Sequence, residues 1–263
     1  MNRVCASKVN IVPWDNRRLV LYNLAKAGCL LLVMIFIGAF VASCSRSTEP
    51  TSSAPAPVES ENTMINGFED GKLGEVPPGF SPGLTGGGGP VKWHLQEIND
   101  APSGKRVVAQ LSNDKTNTRF PHLVRDDFTA IDVDVFVKFR TVSGEVDASG
   151  GLVFRYKDQS NFYVVRANSL EGNVVAYKTE NGKRGNIGVK GKGDAYGVKA
   201  DVPHQQWNTL RVIVRGNLFE IYLNGRELFE VENDVFSEAG KVGFWTKADA
   251  VTQFDELRVK SLD

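Results

Sequence analysis

The chain has 263 residues, 41% of them hydrophobic and 24% charged, with a formal net charge of zero, which suits one sizeable folded domain with appendages. Residues 1–43 carry five bases and one acid, leaving 26 bases against 30 acids beyond them, so no strong basic field argues for nucleic acid as a partner. The three cysteines are Cys5, Cys29 and Cys44, which excludes a disulfide framework, a thiolate metal site and a catalytic cysteine from everything after residue 44.

Residues 29–43, CLLLVMIFIGAFVAS, are an uncharged apolar run behind Arg17, Arg18 and Lys26, the layout of a secretory signal. Its end, VASC, resembles the bacterial lipobox. That resemblance implies that Cys44 is lipidated and becomes the first residue of the mature chain, and Ser45 after it is similar to lipoproteins sorted to the outer membrane. The alternative is an uncleaved membrane helix, for which the run lies near the lower limit because about 20 apolar residues are usual. The following stretch, rich in Ser, Thr, Pro and Glu, has little apolar surface to bury and is expected to be disordered. The expected organisation is a signal segment (1–43), a tether (44–63) and a folded domain (64–263), held at the bacterial cell envelope by the lipid on Cys44.

From residue 64 the pattern changes to short β-branched and aromatic runs separated by Gly, Asn and Asp. The segment 81–90, SPGLTGGGGP, reads as a loop, since four consecutive glycines hold regular structure poorly. It lacks the Gly-Lys-Ser/Thr ending of a phosphate-cradling loop. Strands are expected at 91–98, 105–112 and 129–142. The last of these, TAIDVDVFVKFRTV, puts Ile131, Val133, Val135, Val137 and Phe139 on one face and Asp132, Asp134, Lys138 and Arg140 on the other. Further strands are expected at 151–156, 162–168, 173–179, 208–215, 218–223, 227–231, 241–246 and 253–260. Gly216-Asn217 and Asn224-Gly225 mark hairpin turns, and NDVFSEAG (233–240) reads as a single helical turn. The sum is an all-β chain, two packed antiparallel sheets forming a β-sandwich or jelly roll.

Three stretches carry a resemblance to a known family: 150–184 (GGLVFRYKDQSNFYVVRANSLEGNVVAYKTENGKR), 207–231 (WNTLRVIVRGNLFEIYLNGRELFEV) and 240–259 (GKVGFWTKADAVTQFDELRV). Together they resemble the concanavalin A-like lectin/glucanase superfamily, among bacterial envelope domains grouped with laminin-G-like modules and 3-keto-disaccharide hydrolases. The resemblance implies a concanavalin A-like sandwich, and sugar handling on a sheet face that includes Arg155 of GGLVFRY. Glucanases of this fold carry a Glu-x-Asp-x-x-Glu run. Here IDVDVF offers Asp132 and Asp134 without either glutamate, so no complete pair of catalytic carboxylates is in place, and the two read as a solvated strand face.

Several residues are candidates for a ligand site. Period-two alternation sets Leu152, Phe154 and Tyr156 on one face and Arg155 on the other, where its forked donors suit sugar hydroxyls or a carboxylate. An ordinary ion pair across the sheet is the competing reading. Tyr163, Arg166, Tyr177 and Lys178 on the next strands extend the same patch if the register allows. Trp245 offers a flat apolar surface for a pyranose ring, with Lys247 and Asp249 at its edge, or else is simply core. Asp255 is in phase with Leu257 and Val259 and so faces inward, where a carboxylate needs partners. With Glu69 or Asp70 it could hold a structural Ca²⁺, an ion that prefers oxygen ligands, or it could accept hydrogen bonds from backbone N–H groups. His94, His122 and His204 lack metal-site spacing. Three functions remain open: non-covalent carbohydrate recognition, a glycoside hydrolase acting on a modified disaccharide, and an envelope scaffold binding protein or peptidoglycan.

Overall fold

The computed structural model describes residues 63–263. Of the expected signal segment and tether, residues 1–62, Cys44 among them, lie outside the described residues. The described chain runs as β1 (Thr63–Asn66), β2 (Phe80–Gly86), β3 (Trp93–Glu97), β4 (Arg106–Gln110), β5 (Arg119–Arg125), β6 (Val133–Ser143), β7 (Ser149–Asp158) and β8 (Asn161–Asn168). It continues as β9 (Asn173–Glu180), β10 (Lys183–Asn186), β11 (Val198–Lys199), β12 (Asn208–Arg215), β13 (Leu218–Leu223), β14 (Arg226–Glu232), β15 (Lys241–Trp245) and β16 (Val251–Ser261).

The strands form two antiparallel sheets of eight, one ordered β14-β13-β12-β6-β16-β4-β3 with β1 also against β16, the other β10-β9-β8-β7-β15-β5-β2 with β11 also against β9. This is the expected two-sheet sandwich. Its core lies between the sheets. In β6 the alternation holds from Val133 on: Val133, Val135, Val137 and Phe139 are buried in the core and the residues between them are half-buried, while Ile131, expected on the same face, precedes the strand and is exposed. Phe244 of β15 stacks on Phe254 of β16 at 4.7 Å and 17°, tying one sheet to the other. Phe154, Tyr163, Phe219 and Phe236 form a second aromatic group farther along. Each such side chain, fully buried, contributes about 1.5–3 kcal/mol, which is how a cysteine-free domain of this size holds together.

Several segments differ from the expectation, among them the short strands β1, β10 and β11, which no alternation announces. The first part of 81–90 is strand, not loop: β2 pairs with β5 alone, and an edge position tolerates Pro82, which has no N–H to give a second neighbour. The glycine run itself is a loop pinned by side chains. Gly89 N–H donates to Asp114, and Arg119 donates to the carbonyls of Gly89, Pro90 and Ala248. β5 escapes the period-two rule because nearly all of it is buried on both faces. Residues 233–240 contain no helical turn: Asn233 and Phe236 are held in an irregular loop by the hydroxyl of Tyr163.

The second sheet is covered on its outer face as well, which is why β8 and β9 are buried throughout most of their length. Phe120, Val153, Phe162, Val164, Val175, Tyr177 and Trp245 form a second apolar cluster there. The edge strand closes over it, with Thr85 Oγ1 donating to the carbonyl of Gln159 in the β7–β8 turn at 2.5 Å. Gly83 leaves room for the ring of its β5 partner His122, because a Cβ at this position would stand 2.1 Å from His122 Nε2.

Candidate functional site

Beyond the closed part of this outer face, the far ends of β8 and β9 are polar. Alternation along β8 sends Val165 and Ala167 into the core and Val164, Arg166 and Asn168 outward. Arg166 is only 2% exposed, and a guanidinium so placed needs acceptors for its donors. Nη1 donates to Asn173 Oδ1 at 2.6 Å, while Nη2 lies 2.7 Å from Glu171 Oε2 and 3.2 Å from each of the Tyr177 and Tyr196 hydroxyls. Burial works against its charge, but Tyr177, Glu171 and Asp147 outweigh burial and hold the pKa above the ordinary arginine value.

Two carboxylates and a lysine complete the cluster. Asp147 is buried, accepts a hydrogen bond from Ser149 Oγ and lies 3.3 Å from Lys247 Nζ. Burial raises its pKa despite Ser149, Lys247 and Arg166. For Glu171, half-exposed at the rim, desolvation is overcome by Arg166, Asn173 and Lys247, and its pKa is lowered. An aromatic wall adjoins them. Trp245 stacks on Phe120 at 5.7 Å and 13°, and Arg184 lies 4.6 Å from the Phe120 ring, 4.5 Å from Tyr177 and 5.8 Å from Trp245. Among the described residues, Arg166 Nε, Asn168 Nδ2, Arg184 Nη1 and Trp245 Nε1 are buried donors without a hydrogen-bond partner. Buried unpaired donors are rare and costly, about 1–3 kcal/mol each. Trp93 Nε1 of the first sheet, His122 Nδ1 and Thr246 Oγ1 are likewise unpaired, but the other four donors gather around Arg166 and the aromatic wall.

Residues 86–260 match the model of the 3-keto-alpha-glucoside-1,2-lyase-like domain. The chain belongs to this family. Among solved structures it is similar to the carbohydrate-binding module CBM66 from Bacillus subtilis, at 22% identity and a TM-score of 0.51, covering 64% of this chain and 95% of that one. It is also similar to the cellulose induced protein Cip1, at 15% identity and a TM-score of 0.53, covering 75% of this chain and 97% of that one. At these identities the likeness is one of fold. No curated protein matches the chain.

In this lyase-like domain the candidate residues divide. Arg166, Tyr177, Trp245 and Lys247 come together on one face, and Trp245 is fully buried there, in the outer cluster and not between the sheets. Arg155 does not join them. It has φ +46° at a bulge, where Val153 to Tyr156 of β7 span Gly243 to Lys241 of β15. The extra residue turns Tyr156 outward to His122 and Phe162, and turns Arg155 toward the edge of the core over Phe219. There it donates to the carbonyls of Ile131, Phe236 and Gly216 and pairs with Asp132 at 3.3 Å. Tyr163 lies in the inter-sheet core. Lys178 alternates to the face opposite Tyr177 and pairs with Glu180. Asp249 is a structural post: it accepts the N–H groups of Glu145, Val146 and Asp147, which hold its pKa down against burial.

The calcium set is not assembled. Glu69 accepts the N–H groups of Lys105 and Arg106, Asp70 is exposed, and Asp255 accepts those of Ser103 and Glu256. Among the described residues no group of three or more His, Cys, Asp or Glu could hold a metal ion. Asp132 and Asp134 are engaged structurally, the first by Gly216 N–H and Arg155, the second by both arms of Arg211. The outer face of the first sheet has a depression of about 460 Å³ between Phe136, Arg211, Tyr222 and Arg258. Its guanidiniums already pair with Asp134 and Glu256, so it offers less unmet hydrogen bonding than the Arg166 face.

Asp147, Asn168, Glu171, Asn173, Arg184 and Tyr196 of the cluster escaped the sequence reading. Arg184 on β10, Asn168 at the end of β8 and Asn173 at the start of Tyr177's own strand β9 had a recoverable signal, as residues of that strand or of strands flanking it. Asp147, Glu171 and Tyr196 come from turns whose approach to β8 no local pattern announces.

Proposed function

We propose that the domain binds a saccharide on the outer face of its second sheet, at the polar cluster around Arg166. The observation that carries this is the set of unpaired buried donors beside an aromatic wall. A sugar ring presents hydroxyls in several directions and an apolar C–H face, and needs donors, acceptors and a ring surface close together. Arg166, Lys247 and Asn168 supply donors, Asp147 and Glu171 acceptors, and the edges of Phe120 and Tyr177, beside the fully buried Trp245, the aromatic contact. The carbohydrate-binding module of similar fold supports the reading.

A second reading follows from the family. A 1,2-elimination on a 3-keto glucoside removes the proton at C2, made acidic by the adjacent ketone, forms the C1=C2 double bond as the bond from C1 to the leaving oxygen breaks, and releases that oxygen as an alcohol that takes up a proton from solvent. It asks for a base of raised pKa beside a cation that stabilises the enolate. Asp147, with Lys247 at 3.3 Å and Arg166 nearby, has that character. We further propose, from the signal layout alone, that Cys44 carries a lipid that anchors the protein to the envelope.

A glycan array probed with the wild type, Glu171→Gln and Lys247→Ala tests the site. Each substitution is expected to weaken binding about tenfold or more, the worth of one charged hydrogen bond, while the fold is retained. Unchanged binding in both variants would contradict it. Incubation with a 3-keto glucoside distinguishes the readings: release of the aglycone, lost in Asp147→Asn, favours the lyase.

A further inference from the structure

Arg166 Nη2 faces three acceptor oxygens, from Glu171 at 2.7 Å and from Tyr177 and Tyr196 at 3.2 Å. A terminal guanidinium nitrogen has only two hydrogens, so one of the three is served poorly. Glu171 has the charge and the shortest contact, and Tyr177 is fixed in β9 between β8 and β10. Tyr196 differs from both. It is 51% exposed and sits at the centre of a tight turn closed by Gly197 N–H donating to Ala195 O. Its ring touches Tyr177 edge-on at 5.9 Å, and its hydroxyl contacts that of Tyr177. Gly191 and Gly193, just before it, stand in open space.

We propose that Tyr196 is an exchangeable cover on Arg166, its hydroxyl occupying the position that a ligand's acceptor oxygen takes. Rotation of one side chain opens the guanidinium, and the ligand oxygen then receives the Nη2 hydrogen that Tyr196 gives up. This rests on the saccharide reading for the ligand's identity, but not for the cover itself. Tyr196 thereby sets selectivity. A sugar is retained only if it offers an oxygen that competes with a phenol for Nη2, and affinity is reduced by the fraction of molecules in which the cover is closed.

The cover is tested without ligand by phenylglyoxal labelling of the whole protein, with the rate at each arginine followed by peptide mass mapping. Arg166 is expected to react slowly in the wild type, and about tenfold or more faster in Tyr196→Phe and Tyr196→Ala, from the loss of a charge-assisted hydrogen bond. The rate at Arg155, buried on the other side of the sheet, should not change. Equal rates at Arg166 in wild type and variants would overturn the proposal, as would parallel acceleration at Arg155, which would signal general loosening. In glycan titrations Tyr196→Phe should tighten binding severalfold, and weakened binding would make Tyr196 a ligand contact and overturn the cover. If no saccharide binds any form, the saccharide reading fails while the labelling still decides the cover.

Discussion

Two buried charged side chains show how differently one physical constraint can be met. Arg155 and Arg166 are each 2% exposed. Arg155 is surrounded by carbonyl oxygens that belong to the fold, and Arg166 by side chains of which two, Glu171 and Tyr196, lie at the exposed rim. Asp255 is a third case. It is fully buried with only two N–H donors, and burial pushes its pKa up to about 7. Between the unfolded value near 3.8 and that folded value, the native carboxyl holds a proton that the unfolded chain has released. Its contribution to stability is therefore complete below about pH 4 and is lost as pH rises through about 7. The loss is at most about 4 kcal/mol for a shift of this size. Urea unfolding at pH 5 and pH 8 should show this loss in the wild type and a smaller one in Asp255→Asn. Parallel pH profiles for the two proteins would refute the assignment.

At the scale of elements, the bulge in β7 decides which residues belong to the site. In phase, GLVFRY would put Arg155 among the ligand-facing side chains; one extra residue puts Tyr156 there instead. Gly240 permits it, since a Cβ there would lie 2.4 Å from the Arg155 carbonyl carbon. Arg155→Ala should destabilise the domain by roughly 3–5 kcal/mol, because Asp132 and three carbonyls lose a buried partner. Saccharide affinity, measured on the folded variant, should stay within about twofold of wild type. A large loss of affinity without a loss of stability would return Arg155 to the site. The same bulge marks the limit of what the sequence showed. Alternation in β6 and the Asn224-Gly225 turn were legible because they are local regularities. A bulge has no such signature, and strands buried on both faces, such as β5, show no alternation to read.

For the molecule as a whole, the sandwich was visible in the spacing of strands and turns, and four members of the site were visible as polar or aromatic residues out of place in them. Their assembly was not, because Asp147, Glu171 and Tyr196 reach Arg166 from separate turns through sheet order alone. The two outer faces of the sandwich are physically unlike. On the first sheet the arginines are paired with acids at the surface; on the second a closed apolar floor gives way to a cluster with donors left unmet. Mapping saccharide-induced amide chemical shifts tests this difference most directly. The shifts should fall on Arg166, Glu171, Tyr196, Lys247 and their strand neighbours. Shifts confined to Phe136, Arg211 and Tyr222 on the first sheet would contradict the account.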